Sequence, residues 1–273
     1  MAIFTVQPDI KSNMAIFNLR ILNFFGETET SFNASGFVYD NTEGFVMRIQ
    51  GFGLTYTEAN GDLTSVTDGS LSGFTSSFDN LAQVSITAWN IAAQPFFAAY
   101  FAQDWKKCMD LALDGDDQIF GSYKADSLRG GKGADDLIGL LGHDKIDGED
   151  GNDVLGGGFG NDTLKGGKGI DFFVFESPLD EDFNVDTIED FSKDREKLVL
   201  QDAVFTTIGP LGDLAKGRFV NGAVAQDGND RILYNRATSE VFYDADGDGG
   251  GAAVLFAEVA DGFRLNAGDF SII

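Results

Sequence analysis

The chain has 273 residues, 44 of them acidic against 19 basic, giving a formal net charge of −25. Such a surface repels nucleic acid and anionic membranes, and no apolar run approaches the ~18 residues that a membrane span requires. A lone cysteine, Cys108, excludes any disulfide within the chain, a usage that suits the cytosol at first sight.

Residues 1–8 show no basic region followed by an apolar core, so no cleavable secretory signal is predicted. Residues 1–90 read as mostly β. The stretch 45–56 is rich in β-branched and aromatic residues and leads into Ala59-Asn60-Gly61-Asp62, a strong hairpin turn signal. Further strands are expected at 63–67, 70–74 and 83–87. The many phenylalanines of this region are assigned to its core, with an aromatic sugar-binding face as the functional alternative. A helix is predicted from Gln94-Pro95, because proline suits the first helical position. Phe97, Phe101, Trp105 and Met109 then share a stripe at helical spacing. Cys108 lies near that stripe and reads as a small buried apolar residue, not a nucleophile. This helix should lid the open end of the repeats that follow, since repeat stacks need a cap on each exposed core.

From 112 to 174 the chain is periodic. Seven nine-residue units run without a gap, each with aspartate at its sixth place: Asp117, Asp126, Asp135, Asp144, Asp153, Asp162 and Asp171. Two places later stands a large apolar residue every time: Ile119, Leu128, Leu137, Ile146, Leu155, Leu164 and Phe173. Glycine fills the first and the fourth places in six units of seven, with Ala112 and Lys124 as the exceptions. A fixed period decides the architecture before any local propensity does. Glycines supply the turns, and a short extended stretch follows with its middle side chain turned inward. Two units therefore make one flattened coil of 18 residues, with a strand on each side and a turn at each end. The aspartates line up at the turns. One edge carries Asp117, Asp135, Asp153 and Asp171, and the other carries Asp126, Asp144 and Asp162. Parallel rows of carboxylates repel unless a cation sits between them. Ca²⁺ suits such an oxygen-only cage better than Mg²⁺, which demands a tight octahedron. Same-edge neighbours leave three gaps on one edge and two on the other, hence about five ions.

These units resemble the glycine- and aspartate-rich nonapeptide of the RTX proteins, the hemolysin-type calcium-binding repeats. The stretches 130–138 and 157–165 fit that pattern throughout. The resemblance implies a parallel β-roll with Ca²⁺ in its turns. It also implies ligand carbonyls from the second and fourth places, here Gly131, Gly133, Gly142, Gly151, Gly158, Gly160, Gly167 and Gly169, beside the sixth-place carboxylates. Leu140 and Glu149 depart from the pattern at the second place and Lys124 at the fourth, so the first coil is expected to bind most weakly.

Beyond Phe172-Phe173-Val174-Phe175 the period is lost. Residues 184–191 (Asn-Val-Asp-Thr-Ile-Glu-Asp-Phe), 229–235 and 241–247 resemble the C-terminal region of RTX proteins that leave the cell by type I secretion. The ending Asp269-Phe270-Ser271-Ile272-Ile273 is similar to the uncleaved export signal of serralysin-type proteins. The resemblance therefore implies a secreted protein of a Gram-negative bacterium, with the type I apparatus as a partner. Asp244, Asp246 and Asp248 mimic the first half of an EF-hand loop, but Leu255 stands where that loop needs a bidentate glutamate. A polar turn is the favoured reading there, and a weak extra Ca²⁺ site is the alternative.

The expected fold is mainly β: a parallel roll at 112–174, preceded by a β-rich domain with one helix at 1–111 and followed by a β-rich secretion domain at 175–273. No enzyme is expected. The single histidine, His143, occupies a variable turn position, so neither a His-Glu-x-x-His zinc site nor a Ser–His–Asp triad can be assembled. A carboxylate-pair glycosidase is the residual enzymatic alternative, with Glu43, Glu58, Asp62 and Asp68 as the acidic groups available. The leading expectation is a secreted calcium-binding protein that folds outside the cell. A glycan-binding or adhesive protein with the roll as carrier is the second.

Overall fold

The computed structural model describes residues 113–191, 196–260 and 263–273, together with the backbone of seven strands between residues 2 and 92. The helix expected from Gln94 to the first repeat, and Cys108 with it, lie outside the described residues.

Each nonapeptide closes on a short strand, and alternate strands belong to opposite walls. One wall stacks Asp117–Phe120, Asp136–Ile138, Val154–Gly156 and Phe172–Phe175 in parallel, with Leu137 opposite Ile119 and Leu155. The other stacks Ser127–Lys132, Lys145–Asp150 and Thr163–Lys165, with Ile146 opposite Leu128 and Leu164. The offset between partners is 18 residues, two units to a coil, as the period requires. Alternation along each strand turns one side chain of every unit inward. Those inward residues, Ile119, Leu128, Leu137, Ile146, Leu155, Leu164 and Phe173, are all completely buried.

Parallel stacking does not stop where the nonapeptide period stops. Lys197–Leu200 pairs in parallel with Phe172–Phe175, and Phe270–Ile272 then pairs in parallel with Lys197–Leu200. On the opposite wall Asp186–Ile188 follows Thr163–Lys165, and Val254–Val259 follows that. Ile188, Leu198, Val259 and Phe270 thus extend the same apolar core, joined by a cluster of aromatic rings. Phe256 packs edge-on against Phe175 and Phe205, with centroids 5.1 and 5.2 Å away. The last part of that wall turns antiparallel through Glu240–Tyr243 and Ile232–Asn235.

At the other end, strands of the preceding region continue both walls. Leu81–Ala88 lies antiparallel on Asp117–Phe120, and Ala2–Ile3 lies antiparallel on Ser127–Lys132. Phe45–Ala59, Asp62–Phe78 and Leu81–Ala88 form an antiparallel run in which Ala59 pairs with Asp62; the hairpin signal at Asn60-Gly61 itself lies outside the described residues.

Candidate metal centre

The turns are built by glycines in conformations that most side chains avoid. Gly131, Gly158 and Gly167 at the second place have φ of 106°, 96° and 97°. Gly133, Gly142, Gly160 and Gly169 at the fourth have φ between 121° and 143°. Gly151, also a fourth-place residue, is not among the left-handed glycines, yet a Cβ there would lie 1.6 Å from the Gly133 carbonyl oxygen. Close backbone approach between coils is what forbids a side chain at that place. Leu140 and Glu149 adopt the left-handed conformation although they are not glycine, at φ of 79° and 71°. The roll imposes the turn even where the sequence resists it, against a cost of about 1–2 kcal/mol per residue.

The sixth-place aspartates form two ladders. The backbone N–H of a sixth-place aspartate donates to the carboxylate of the aspartate 18 residues later. On one edge Asp117, Asp135 and Asp153 donate to Oδ1 of Asp135, Asp153 and Asp171 at 2.8, 2.9 and 2.9 Å. On the other, Asp126 and Asp144 donate to Oδ1 of Asp144 and Asp162 at 2.7 Å each. One oxygen of each accepting carboxylate is thereby fixed. The second, Oδ2, of Asp135, Asp144, Asp153, Asp162 and Asp171 is buried with no hydrogen-bond partner, as are both oxygens of Asp117. Anionic oxygens left so in a dry turn are costly unless a cation meets them.

The space they face is the space left by first-place glycines. A Cβ on Gly139 would sit 2.3 Å from both Asp144 Oδ2 and the Gly157 carbonyl oxygen. On Gly130 it would meet Asp135 Oδ2 at 2.4 Å and the Gly148 oxygen at 2.6 Å, and on Gly148 it would meet Asp153 Oδ2 and the Gly166 oxygen at the same two distances. Carboxylate and carbonyl oxygens of successive coils thus converge on one point. Among the described residues no three acidic, histidine or cysteine side chains form a group of their own. The donors brought together are carboxylate and main-chain oxygens alone, which suits a hard cation of flexible geometry.

The main-chain oxygens that lie against these Oδ2 atoms come from first-place glycines, which are not among the residues expected from the sequence. Where the second place is not glycine its carbonyl is engaged between coils: those of Leu113, Ser122, Leu140 and Glu149 accept the N–H groups of Lys132, Leu141, Phe159 and Lys168 at 2.7–3.2 Å, while the expected fourth-place oxygens of Gly133 and Gly142 lie against Gly151 and Gly160 of the next coil. The aspartates themselves fall where the sequence places them, with one exception in environment. Asp126 is half-buried, and its Oδ2 accepts Ser122 N–H at 2.6 Å and Ser122 Oγ–H at 2.7 Å. This is the unit carrying Lys124, and its carboxylate is the one already occupied.

Without a cation the ladders are held far from their usual ionisation. Burial, aided by the neighbouring carboxylate of Asp135, pushes Asp117 up to about 8. Burial likewise raises Asp144 and Asp153 to about 7 and Asp135 to about 6, each moderated by the N–H it accepts. Asp162 and Asp171 shift the same way, again chiefly through burial.

A second ladder runs beside the first at the fifth place, in the opposite sense. Asp116 Oδ1, His143 Nδ1 and Asn152 Oδ1 accept the backbone N–H of Ala134, Asn161 and Ile170 at 2.7, 2.8 and 2.8 Å. The one histidine thus serves as an exposed turn acceptor between coils. In the C-terminal region, Asp244 Oδ1 accepts Asp246 and Gly247 N–H groups, and Asp246 Oδ2 accepts Gly251 N–H at 3.0 Å. That acidic loop supports its own turns.

The model of the RTX calcium-binding nonapeptide repeat (four copies) matches residues 111–146 and 138–173. Among solved structures, the chain is similar to the R2 subunit of AlgE6, a mannuronan C5-epimerase of Azotobacter vinelandii, at 24% identity and a TM-score of 0.36. That likeness covers 55% of this chain and 89% of the other. The R3 subunit of the same enzyme matches at 25% identity and a TM-score of 0.20, over 57% of this chain and 78% of that one. No curated protein matches the sequence. The periodic segment 111–173 thus matches the RTX calcium-binding nonapeptide repeat and folds as a parallel β-roll with carboxylate-lined turns, which implies calcium binding by those repeats.

Proposed function

We propose that this chain is a secreted, non-enzymatic calcium-binding protein whose roll folds when it meets extracellular Ca²⁺. The observation that carries the reading is the row of buried Oδ2 atoms, on Asp117, Asp135, Asp144, Asp153, Asp162 and Asp171, that no protein group satisfies. An unfolded chain keeps these carboxylates hydrated. The folded chain dehydrates them in register, which costs several kcal/mol per ion unless countercharge is supplied. One fully buried apolar side chain per nine residues is a thin core to set against that cost and the entropy of ordering a glycine-rich chain. Ca²⁺ binding free energy then becomes folding free energy. About five ions fit between the coils, and the occupied carboxylate of Asp126 makes the first coil the weakest.

Calcium is scarce in cytoplasm and abundant outside, so the same coupling serves export. A chain kept unfolded by lack of Ca²⁺ can be threaded through a type I apparatus and folds on arrival. The likeness of 184–191, 229–235 and 241–247 to the C-terminal region of type I substrates supports that route. Circular dichroism during a Ca²⁺ titration of chelator-treated protein at neutral pH tests the coupling. A cooperative gain of β signal with Ca²⁺, and little with Mg²⁺, is expected. An unchanged, already folded spectrum in excess chelator would refute it.

A further inference from the structure

The ladder of carboxylates outlasts the nonapeptide repeats by one rung. After Val174 the chain makes a longer excursion, and the next strand on the wall of Thr163–Lys165 is Asp186–Ile188, with Thr187 opposite Thr163 and Ile188 opposite Leu164. That register places Asp186 above Asp162, 24 residues on instead of 18. The bond that defines every regular rung is reproduced, since Asp162 N–H donates to Asp186 Oδ1 at 3.1 Å. Asp186 is 4% exposed and Asp162 1% exposed, and Asp162 Oδ2 has no hydrogen-bond partner.

The longer coil is anchored so that the rung keeps its geometry. Asn184 Oδ1 accepts Gly160 N–H at 2.9 Å, and its Nδ2 donates to the Pro178 carbonyl at 3.0 Å. Asp180 turns the excursion by accepting the N–H groups of Asp182 and Phe183. On its other side Asp186 borders a cavity of about 10 Å³ that it shares with Ser177 and Asn184 and with the apolar Val174, Phe175, Leu179 and Phe256. A Cβ on Gly157 would lie 2.2 Å from Asp162 Oδ2, so this carboxylate packs against its first-place glycine as Asp144 Oδ2 does against Gly139.

We infer that Asp162 and Asp186 hold a further Ca²⁺ between the last repeat coil and the non-repeat segment, making the attachment of that segment to the roll calcium-dependent. The inference rests on the calcium reading of the roll given above. It assigns the ion to a residue outside the nonapeptide run, in a coil of different length. Asp186-Thr187-Ile188 keeps the aspartate-x-apolar signature of the units without their glycines.

Calcium content of the full chain, measured at saturation after dialysis, distinguishes the cases. Asp186→Asn preserves an oxygen to accept Asp162 N–H but removes the charge. It is expected to hold one ion fewer than the wild type while keeping the roll's β signal. Equal stoichiometry in the two proteins would overturn the inference and leave the roll reading intact, whereas a wild type that binds no Ca²⁺ sinks both. Should the variant not fold, diffraction from wild-type crystals loaded with Tb³⁺ decides. An anomalous peak between Asp162 and Asp186 is expected, and peaks along the regular rungs with none there would overturn the inference.

Discussion

Two adjacent glycines offer a sharp test of where the cation sits. Gly156 ends the strand Val154–Gly156, and a Cβ there would find nothing nearer than the Val174 carbonyl oxygen at 3.9 Å. Gly157 opens the next unit, and its Cβ would lie 2.2 Å from Asp162 Oδ2 and 2.8 Å from Asp162 Cγ. Neither glycine has a left-handed φ, so an alanine at either place differs only in what it touches. Gly157→Ala must push the Asp162 carboxylate aside. That breaks the 2.7 Å bond from Asp144 N–H, worth about 1.5–3 kcal/mol for a charged acceptor. It also removes an ion, and one ion at 100 times its Kd contributes about 2.7 kcal/mol. Together the loss is about 4–6 kcal/mol, or a fall in Tm on the order of 10–20 °C for a domain of this size. Gly156→Ala should instead gain about 0.4–1 kcal/mol through the unfolded chain. Thermal unfolding in saturating Ca²⁺, with the ion count beside it, reads both. If Gly157→Ala melted like Gly156→Ala and bound as much Ca²⁺, the placement of the cation against the first-place glycine would be wrong.

Other consequences follow from the same geometry. Asp153→Asn keeps the acceptor for Asp135 N–H but loses the charge at a central rung, and should weaken Ca²⁺ binding there at least about 10-fold. Calorimetric titration with an unchanged isotherm would count against the rung. Leu140→Gly relieves a left-handed residue that is 39% exposed and packs little, so stability should hold or rise by up to about 1 kcal/mol. A clear drop in Tm would contradict the strain assigned to that turn. The pH response should invert with metal. In metal-free protein, Asp117, Asp135, Asp144 and Asp153 are raised to between about 6 and about 8 from an ordinary value of 3.8. Their contribution to the fold is present in acid, below the unfolded value, and is lost as pH rises through the folded ones. Metal-free protein should therefore show more β signal near pH 5 than near pH 8, while Ca²⁺ affinity should strengthen over the same rise as protons stop competing. Parallel behaviour of the two curves would refute the assignment.

Much of the roll was legible because its physics is periodic. An aspartate and an apolar residue at fixed places in seven consecutive units allow one phase only, so the two edges, the inward row from Ile119 to Phe173 and the 18-residue coil could be read without a structure. What could not be read belongs to the third dimension. The main-chain oxygens found against Asp Oδ2 come from first-place glycines, an approach between coils that no spacing in the sequence shows. The fifth place looked variable, yet Asp116, His143 and Asn152 share one task there, accepting an N–H from the coil above. Three unlike side chains with one acceptor atom in common leave no motif. Asp186 was hidden for a different reason. Its coil is 24 residues long, and a period search at nine ends where the stacking does not.

The claim beneath all of this is that the fold depends on the cation. Amide hydrogen exchange addresses it residue by residue, at the N–H groups of Asp117, Asp126, Asp135, Asp144 and Asp153 that donate along the ladders. At neutral pH these amides should be strongly protected with Ca²⁺ present and should exchange at the rates of an unstructured chain once it is chelated. Equal protection in the two conditions would mean that the stacked carboxylates tolerate one another without metal, and would contradict the account.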